Sequence, residues 1–231
     1  MEAGVDVLVT FIIAIGAGLV PEALRGFITG SMLHCLLKPK AGLWQSRVRP
    51  IAVGEVFGRL AAQAWASALL GILLPMFLPL NLGVAVPAGC DLVVHFTRLA
   101  AEMQGVWVFL SKDCRNAFNH FSRAALFPIA GHKLPQLLPY LWTFYSGSPQ
   151  LIYAMDHVFR IFPSLSGSRQ GCPLGALLFV LVFTPILERV MLEMEGVNWR
   201  ERAYQCGWDG DDALRGFLTA YCDDTTLSGR P

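Results

Sequence analysis

Apolar positions dominate the chain, and their spacing changes character part-way along it. Residues 5 to 37 carry apolar side chains at helical intervals and are interrupted near Gly18-Leu19-Val20-Pro21, which predicts two helices. Lys38 to Arg49 is polar and basic, contains Pro39 and Gly42, and predicts a loop. Pro50 to Val53 predicts a short extended piece. Glu55 to Leu74 returns to helical spacing through Phe57, Leu60, Ala61, Ala64, Ala68 and Leu69. Residues 79 to 90, rich in Pro and Gly, predict a loop ahead of a third helix from Asp91 to Glu102. The period then shifts. Gly105 to Leu110 is a continuous apolar run rich in β-branched and aromatic residues, and it predicts a buried strand that ends at Ser111-Lys112-Asp113. Ala117 to Leu126 is helix-like, and residues 131 to 163 mix helical and aromatic-rich strand signals around Gly147-Ser148-Pro149. Gly167 to Gly175 is a glycine-punctuated loop, Leu177 to Met194 a strongly apolar helix, and Glu195 to Asp212 a polar connection. A final strand from Phe217 to Leu227 is interrupted by two acids. Helices alternating with a few well-separated strands predict an α+β fold.

Composition sharpens this picture. The 231 residues are 54% apolar and 15% charged, with a mean hydropathy of +0.49. That is apolar enough to suggest either a membrane protein or a segment whose apolar faces are covered by parts outside it. Val5 to Val20 is shorter than the roughly 20 residues of a spanning helix, contains Asp6, and lacks a basic leader. Ala66 to Leu80 is interrupted by Gly71, Pro75 and Pro79. No signal peptide and no membrane span are therefore expected. Six cysteines form no CxxC pair, which argues against a zinc site or disulfide framework and for reduced intracellular thiols. A net charge of +1 gives no global basic field, but Lys38, Lys40, Arg47, Arg49 and Arg59 cluster with only Glu55 opposing them.

Four local patterns carry candidate chemistry. Asp113 closes a predicted strand, where a lone Asp is most often a turn or helix cap. Ser166 to Gly175 places three glycines and Pro173 before an apolar helix, so backbone could approach a ligand closely. Tyr221-Cys222-Asp223-Asp224 sets two adjacent carboxylates in an apolar strand. Such acids repel and favour hydration or a cation, and Mg²⁺ commonly takes one or two protein carboxylates. Asp211-Asp212 is a useful contrast: an acidic pair in a polar loop, read as a solvated turn. Finally, the 38–49 loop offers Lys and Arg, which can clamp phosphate but in most proteins form a solvated face.

The order of these patterns is more specific than any one of them. With Arg49-Pro50-Ile51-Ala52-Val53-Gly54-Glu55, Leu82 to Gly89 and Asn116-Ala117-Phe118-Asn119, the chain resembles the reverse transcriptases, most closely those of non-LTR (LINE-type) retrotransposons. The resemblance implies a right-hand polymerase fold: fingers over 1–104, and over 105–231 a palm built on a small antiparallel sheet, with a fingers-side insertion at 131–163. It implies RNA-directed DNA polymerase activity by two-metal nucleotidyl transfer. Asp113 and Asp223 would be the principal ligands of two Mg²⁺ ions, for which Mn²⁺ could substitute, and Asp224 an auxiliary one. Phe118 matches an aromatic gate that excludes a ribose 2′-hydroxyl, although a core phenylalanine is the plainer reading. Gln170, Gly171 and Tyr221 match nucleotide contacts, and Arg49 and Lys38 match the basic residues that reach the triphosphate. Implied partners are an RNA template, a DNA primer or nicked target DNA, and dNTPs, in an intracellular and nuclear setting away from membranes. The match stops at Pro231, ahead of the family's primer grip, thumb and endonuclease regions. The expectation is therefore an incomplete palm, thumb absent, with little activity alone. An inactive remnant with weak nucleic-acid binding, an RNA-templated RNA polymerase or maturase on the same palm, and a small integral membrane protein stay open as alternatives.

Overall fold

A strand followed by a basic loop can pair with what lies beyond that loop, and this shapes the first half of the chain. The structure, a computed structural model, describes residues 2–38, 47–102, 108–114, 116–155, 157–195 and 216–229. They form two compact units, one of residues 1–69 and 116–178 and the other of 70–115 and 179–231. Each unit draws on both sides of residue 104, and the insertion-like stretch 131–163 belongs to the first.

In the first unit, helices α1 (Glu2–Gly16) and α2 (Glu22–Thr29) flank the predicted break. The second helix was expected to reach residue 37, but Ser31–Lys38 is a strand, β1. It pairs antiparallel along its whole length with β2 (Arg47–Gly54), from Ser31↔Gly54 to Lys38↔Arg47. Leu and Met in β1 favour helix weakly, and pairing with β2 overrides that preference; most of the predicted 38–49 loop lies outside the described residues. A hairpin of β4 (Gln150–Met155) and β5 (Val158–Pro163) adds to β1, giving a mixed sheet of order β2-β1-β4-β5. Helix α3 (Val56–Phe77) starts where predicted and continues through Pro75, its residues from Leu70 onward belonging to the second unit. The predicted helix over 117–126 is two helices, α5 (Ala117–His120) and α6 (Arg123–Lys133). Ser122 separates them and caps α6, its Oγ accepting from the Ala125 N–H at 3.3 Å. Leu126, Ala130, Leu134, Leu137 and α7 (Leu138–Tyr145) bury Tyr140, Leu141 and Phe144 to form the core of this unit.

The second unit holds α4 (Gly89–Glu102), most of α8 (Gly175–Glu195), and a three-stranded antiparallel sheet of β3 (Val108–Asp113), β6 (Gly216–Tyr221) and β7 (Asp224–Gly229) in the order β3-β7-β6. Alternation along the strands divides its faces. Leu218, Ala220 and Leu227 lie on one face, packed with Leu80, Leu187 and Met191. Asp113, Tyr221 and Asp224 fall on the other, because they occupy the opposite parity in the register. Of the run 105–110 expected to be a buried strand, 105–107 lie outside the described residues, and Phe109 and Leu110 are 40% and 59% exposed. β3 is an edge strand, and the helix-backed core lies over the β6–β7 side. The predicted connection at 195–212 falls almost entirely outside the described residues, as does the contrast pair Asp211-Asp212. By length and composition alone, α3 and residues 175–193 of α8 are apolar enough to cross a bilayer, and 28% and 56% of their apolar windows are buried against protein.

Candidate active site

The two central residues of a hairpin turn project beyond the end of their sheet, so acids placed there gather at one edge. Strands β6 and β7 are joined by Cys222 and Asp223, with Tyr221 paired to Asp224. On the other side of β7, Asp224 pairs with Asp113 of β3. Residues in direct register have Cβ atoms about 5 Å apart, on one face, and like charges so placed are destabilising. Asp113 and Asp224 are exposed and Asp223 is half-buried. The three carboxylates act together on their surroundings. The half-buried Cys114 thiol is raised first by burial, lowered by Lys112, and raised again by Asp223, Asp113 and Asp224. Burial pushes the Cys222 thiol up to about 11, and Asp223 and Asp224 push the same way.

The donor set suits a divalent cation. Among the described residues, no three His, Cys, Asp or Glu side chains converge as a cage. Mg²⁺ requires no such cage, since it takes one or two carboxylates and fills its shell with water and phosphate oxygens. A cross-strand pair with a third acid in the adjoining turn meets that requirement.

Two residues unassigned by sequence hold the loops that carry the candidates. Asn81, fully buried, donates from Nδ2 to the Cys222 carbonyl at 3.0 Å. Its Oδ1 accepts from the N–H groups of Cys222 at 3.2 Å and Gly83 at 3.0 Å. In the first unit, Arg123 is a buried hub. Its Nε donates to Gly167 O at 2.9 Å, Nη1 to Ser164 O at 2.6 Å and Gly147 O at 3.3 Å, and Nη2 to Ser164 Oγ at 2.7 Å and Ser166 O at 3.2 Å. The signal for Asn81 was a lone amide inside the apolar run Leu80-Asn81-Leu82. For Arg123 it was a cation in an otherwise apolar helix start.

The first unit brings together several of the nucleotide candidates. The Ser168 N–H donates to Phe118 O at 2.7 Å, and Ser166 Oγ to Asn119 O at 2.8 Å, so the glycine-rich loop is attached to α5. Gln170 O accepts from Ala52 N at 2.8 Å, which docks the same loop on β2. Gly171 has φ +125°, and a Cβ there would come within 2.7 Å of Ala52 O, so glycine is required. Phe118 and Gln170 are half-buried, and Arg49 on β2 is exposed. Lys38 ends β1 opposite Arg47, and its side chain is outside the described residues, as is Lys40. Asp113, Tyr221, Asp223 and Asp224 belong to the second unit.

The profile of the family described as reverse transcriptase (RNA-dependent DNA polymerase) matches residues 38–230. The chain belongs to the reverse transcriptase family. Both long apolar helices and all the candidate site residues lie inside the matched stretch. Apo telomerase from Candida tropicalis superposes with a TM-score of 0.59 at 10% identity, over 92% of this chain and 41% of that one. A form of it truncated from its C-terminal domain gives 0.54 at 11% identity, over 90% and 47%. Telomerase from Candida albicans with a TWJ fragment of telomeric RNA gives 0.55 at 10%, over 92% and 38%. At such identity the likeness concerns the fold, which is that of the reverse transcriptase polymerase region. The chain spans less than half the length of these solved chains. No curated protein matches.

Proposed function

We propose that this chain is the fingers and part of the palm of an enzyme for templated DNA synthesis, with little activity alone: nucleotidyl transfer from a dNTP to a primer 3′-hydroxyl on an RNA template, within a retroelement of the non-LTR type. The observation that supports this best is the register of Asp113 against Asp224, with Asp223 in the adjoining turn. Three acids at one sheet edge carry a cost that only a cation or extensive hydration offsets. Asp113 and Asp223 would hold two Mg²⁺ ions, with Asp224 auxiliary. Bound there, the ions would supply Lewis-acid stabilisation of charge on the reacting phosphate oxygens. In the transfer the primer 3′-hydroxyl loses its proton to water, its oxygen bonds the α-phosphorus, and the α-phosphorus–oxygen bond to the β-phosphate breaks, releasing pyrophosphate.

The remaining assignments follow the family motif. Phe118 lies against the sugar and disfavours a 2′-hydroxyl. Gln170, Gly171 and Tyr221 position the nucleotide, and Arg49 and Lys38 neutralise the triphosphate. A nicked DNA target as primer would place the reaction in the nucleus.

Primer extension with an RNA template, a DNA primer and dNTPs, on the chain completed with the family's primer grip and thumb, tests this reading, run beside Mn²⁺ binding followed by paramagnetic resonance. Asp223→Asn should lower extension by about a thousandfold or more, as loss of a charge-stabilising group does. It should also weaken Mn²⁺ binding while leaving template–primer affinity unchanged. Extension by Asp223→Asn at the wild-type rate would overturn the assignment.

A further inference from the structure

A hairpin turn at the end of a sheet has no ladder partner for its own backbone, so its shape depends on whatever else can bond it. At this turn the demand is greater than usual. Cys222 has φ +54°, a region that L-residues occupy at a cost. Two-residue hairpin turns commonly place glycine at such a position. Carboxylates stand on the following two residues and across the sheet at Asp113.

We infer that Asn81 is a positioning residue for the acidic turn: its carboxamide acts as a side-chain substitute for a neighbouring strand and fixes where Asp223 is presented. Four features support this. The amide meets both polar groups of the Cys222 backbone, receiving from its N–H and donating to its carbonyl. Asn81 is itself held by the main chain. Its N–H donates to Phe77 O at 2.9 Å, Leu82 N donates to Ala220 O at 2.8 Å, and Ala220 N donates to Leu80 O at 2.8 Å. Residues 80–82 thus run along the outer edge of β6, with Asn81 and Ala220 forming a parallel bridge. Gly83 then lets the segment approach the turn, since a Cβ on it would overlap the Cys222 backbone nitrogen, and Cys222 Sγ lies 3.5 Å from Gly83 O. Finally, the amide is neutral. An aspartate of the same shape would lose the donor to the Cys222 carbonyl and add a buried charge beside the acids. A lysine or arginine would pair with those acids and compete with a cation for them.

The inference rests on the polymerase reading for its effect on rate, but not for its effect on the turn, so the two are measured separately. Hydrogen exchange is recorded on wild type, Asn81→Asp and Asn81→Ala, alongside primer extension. Exchange at Cys222 and Asp223 should rise about tenfold or more in both variants, while the amides of residues 216–220 and of α8 keep wild-type protection. The kcat for extension should fall about tenfold or more, with KM for dNTP and template–primer affinity within about twofold of wild type. A residue that only stabilised the fold would instead raise exchange throughout the unit and shift kcat and KM together. Unchanged exchange at the turn, or a loosened turn with wild-type kcat, overturns the inference. A loosened turn in a protein completed with the family's primer grip and thumb, whose wild type nevertheless extends no primer, supports the clasp and overturns the polymerase reading. If neither variant folds, wild type decides: its Cys222 amide should exchange more slowly than that of Asp223, and an unprotected Cys222 amide overturns the clasp.

Discussion

The acidic turn at Tyr221–Asp224 and the glycine-rich loop at 164–171 are both held by one buried polar side chain, yet the two clasps are chemically opposite. Beside the carboxylates the clasp is a neutral amide that makes three bonds, two of them to Cys222 and one to Gly83. At the loop it is a guanidinium that makes five bonds to four residues. A second guanidinium, Arg169, sits in the same unit and donates to Thr29 O and Ser31 Oγ at 2.6 Å. Both cations lie against the Tyr145 ring, at 5.2 and 5.6 Å from its centroid. The two ion pairs among the described residues, Arg25–Glu22 and Arg189–Glu193, are exposed i,i+3 and i,i+4 pairs, so neither guanidinium has a carboxylate partner there. The difference follows from what each region is proposed to meet. A turn that gathers cations is best held by a group without charge. A loop that meets an anionic nucleotide can be held by cations, whose uncompensated field favours phosphate.

The largest effect that could break this comparison is at Arg123. Arg123→Ala should destabilise the protein by about 3 to 5 kcal/mol, since it leaves several buried carbonyls without donors. Chemical denaturation measures this. The loss should be only partly restored by Arg123→Lys, because an ammonium cannot reproduce a planar fork directed at several acceptors. Full rescue by lysine would mean that charge, rather than geometry, holds the loop. Hydrogen exchange should show the loss over 147–167, with the acidic turn protected as before. Loosening of both regions would mean that the clasps are not independent.

A smaller effect is expected at Phe118, whose carbonyl is bonded to the loop by Ser168. Phe118→Ala should narrow the preference for dNTP over rNTP by about ten- to a hundredfold, the discrimination a single steric contact supplies. The kcat/KM ratio for the two nucleotides measures it. Unchanged selectivity would return Phe118 to the plainer reading of a packed phenylalanine.

These results also show which parts of the fold were legible in advance. The acids stood out because two charges inside an apolar strand conflict with its pattern, and the structure resolves the conflict by placing them at a turn and on the face opposite the core. Helices α3, α4 and α8 followed from local spacing. Strand β1 did not, because its partner begins only at Arg47 and no local period records a pairing across such a separation. The exposure of β3 was missed for a related reason: an apolar run reports what a strand can bury, not whether it stands at an edge. Arg123 recurs in the family motif but had no role assigned from sequence, and Asn81 had none either, because both roles depend on main-chain atoms, which carry no residue identity. Arg123 reaches Gly147, Ser164, Ser166 and Gly167 through bonds that any residues could have accepted, apart from the one to Ser164 Oγ.

The smallest effect is also the sharpest test of the contrast in strain. The glycine-rich loop places its positive φ angles on Gly167 and Gly171, where they cost little, whereas the acidic turn places one on Cys222. At an ordinary position alanine is more stable than glycine by about 0.5 to 1 kcal/mol, because glycine loses more freedom on folding. At Cys222 the order should reverse. Cys222→Gly and Cys222→Ala forfeit the same thiol contact with Gly83, but only glycine relieves the left-handed backbone. Cys222→Gly should therefore be more stable than Cys222→Ala by about 0.5 to 1 kcal/mol, read from denaturation midpoints at constant slope. The ordinary order, alanine above glycine, would show that the turn carries no strain for Asn81 to hold against, and the two loops would then differ only in the charge of their clasps.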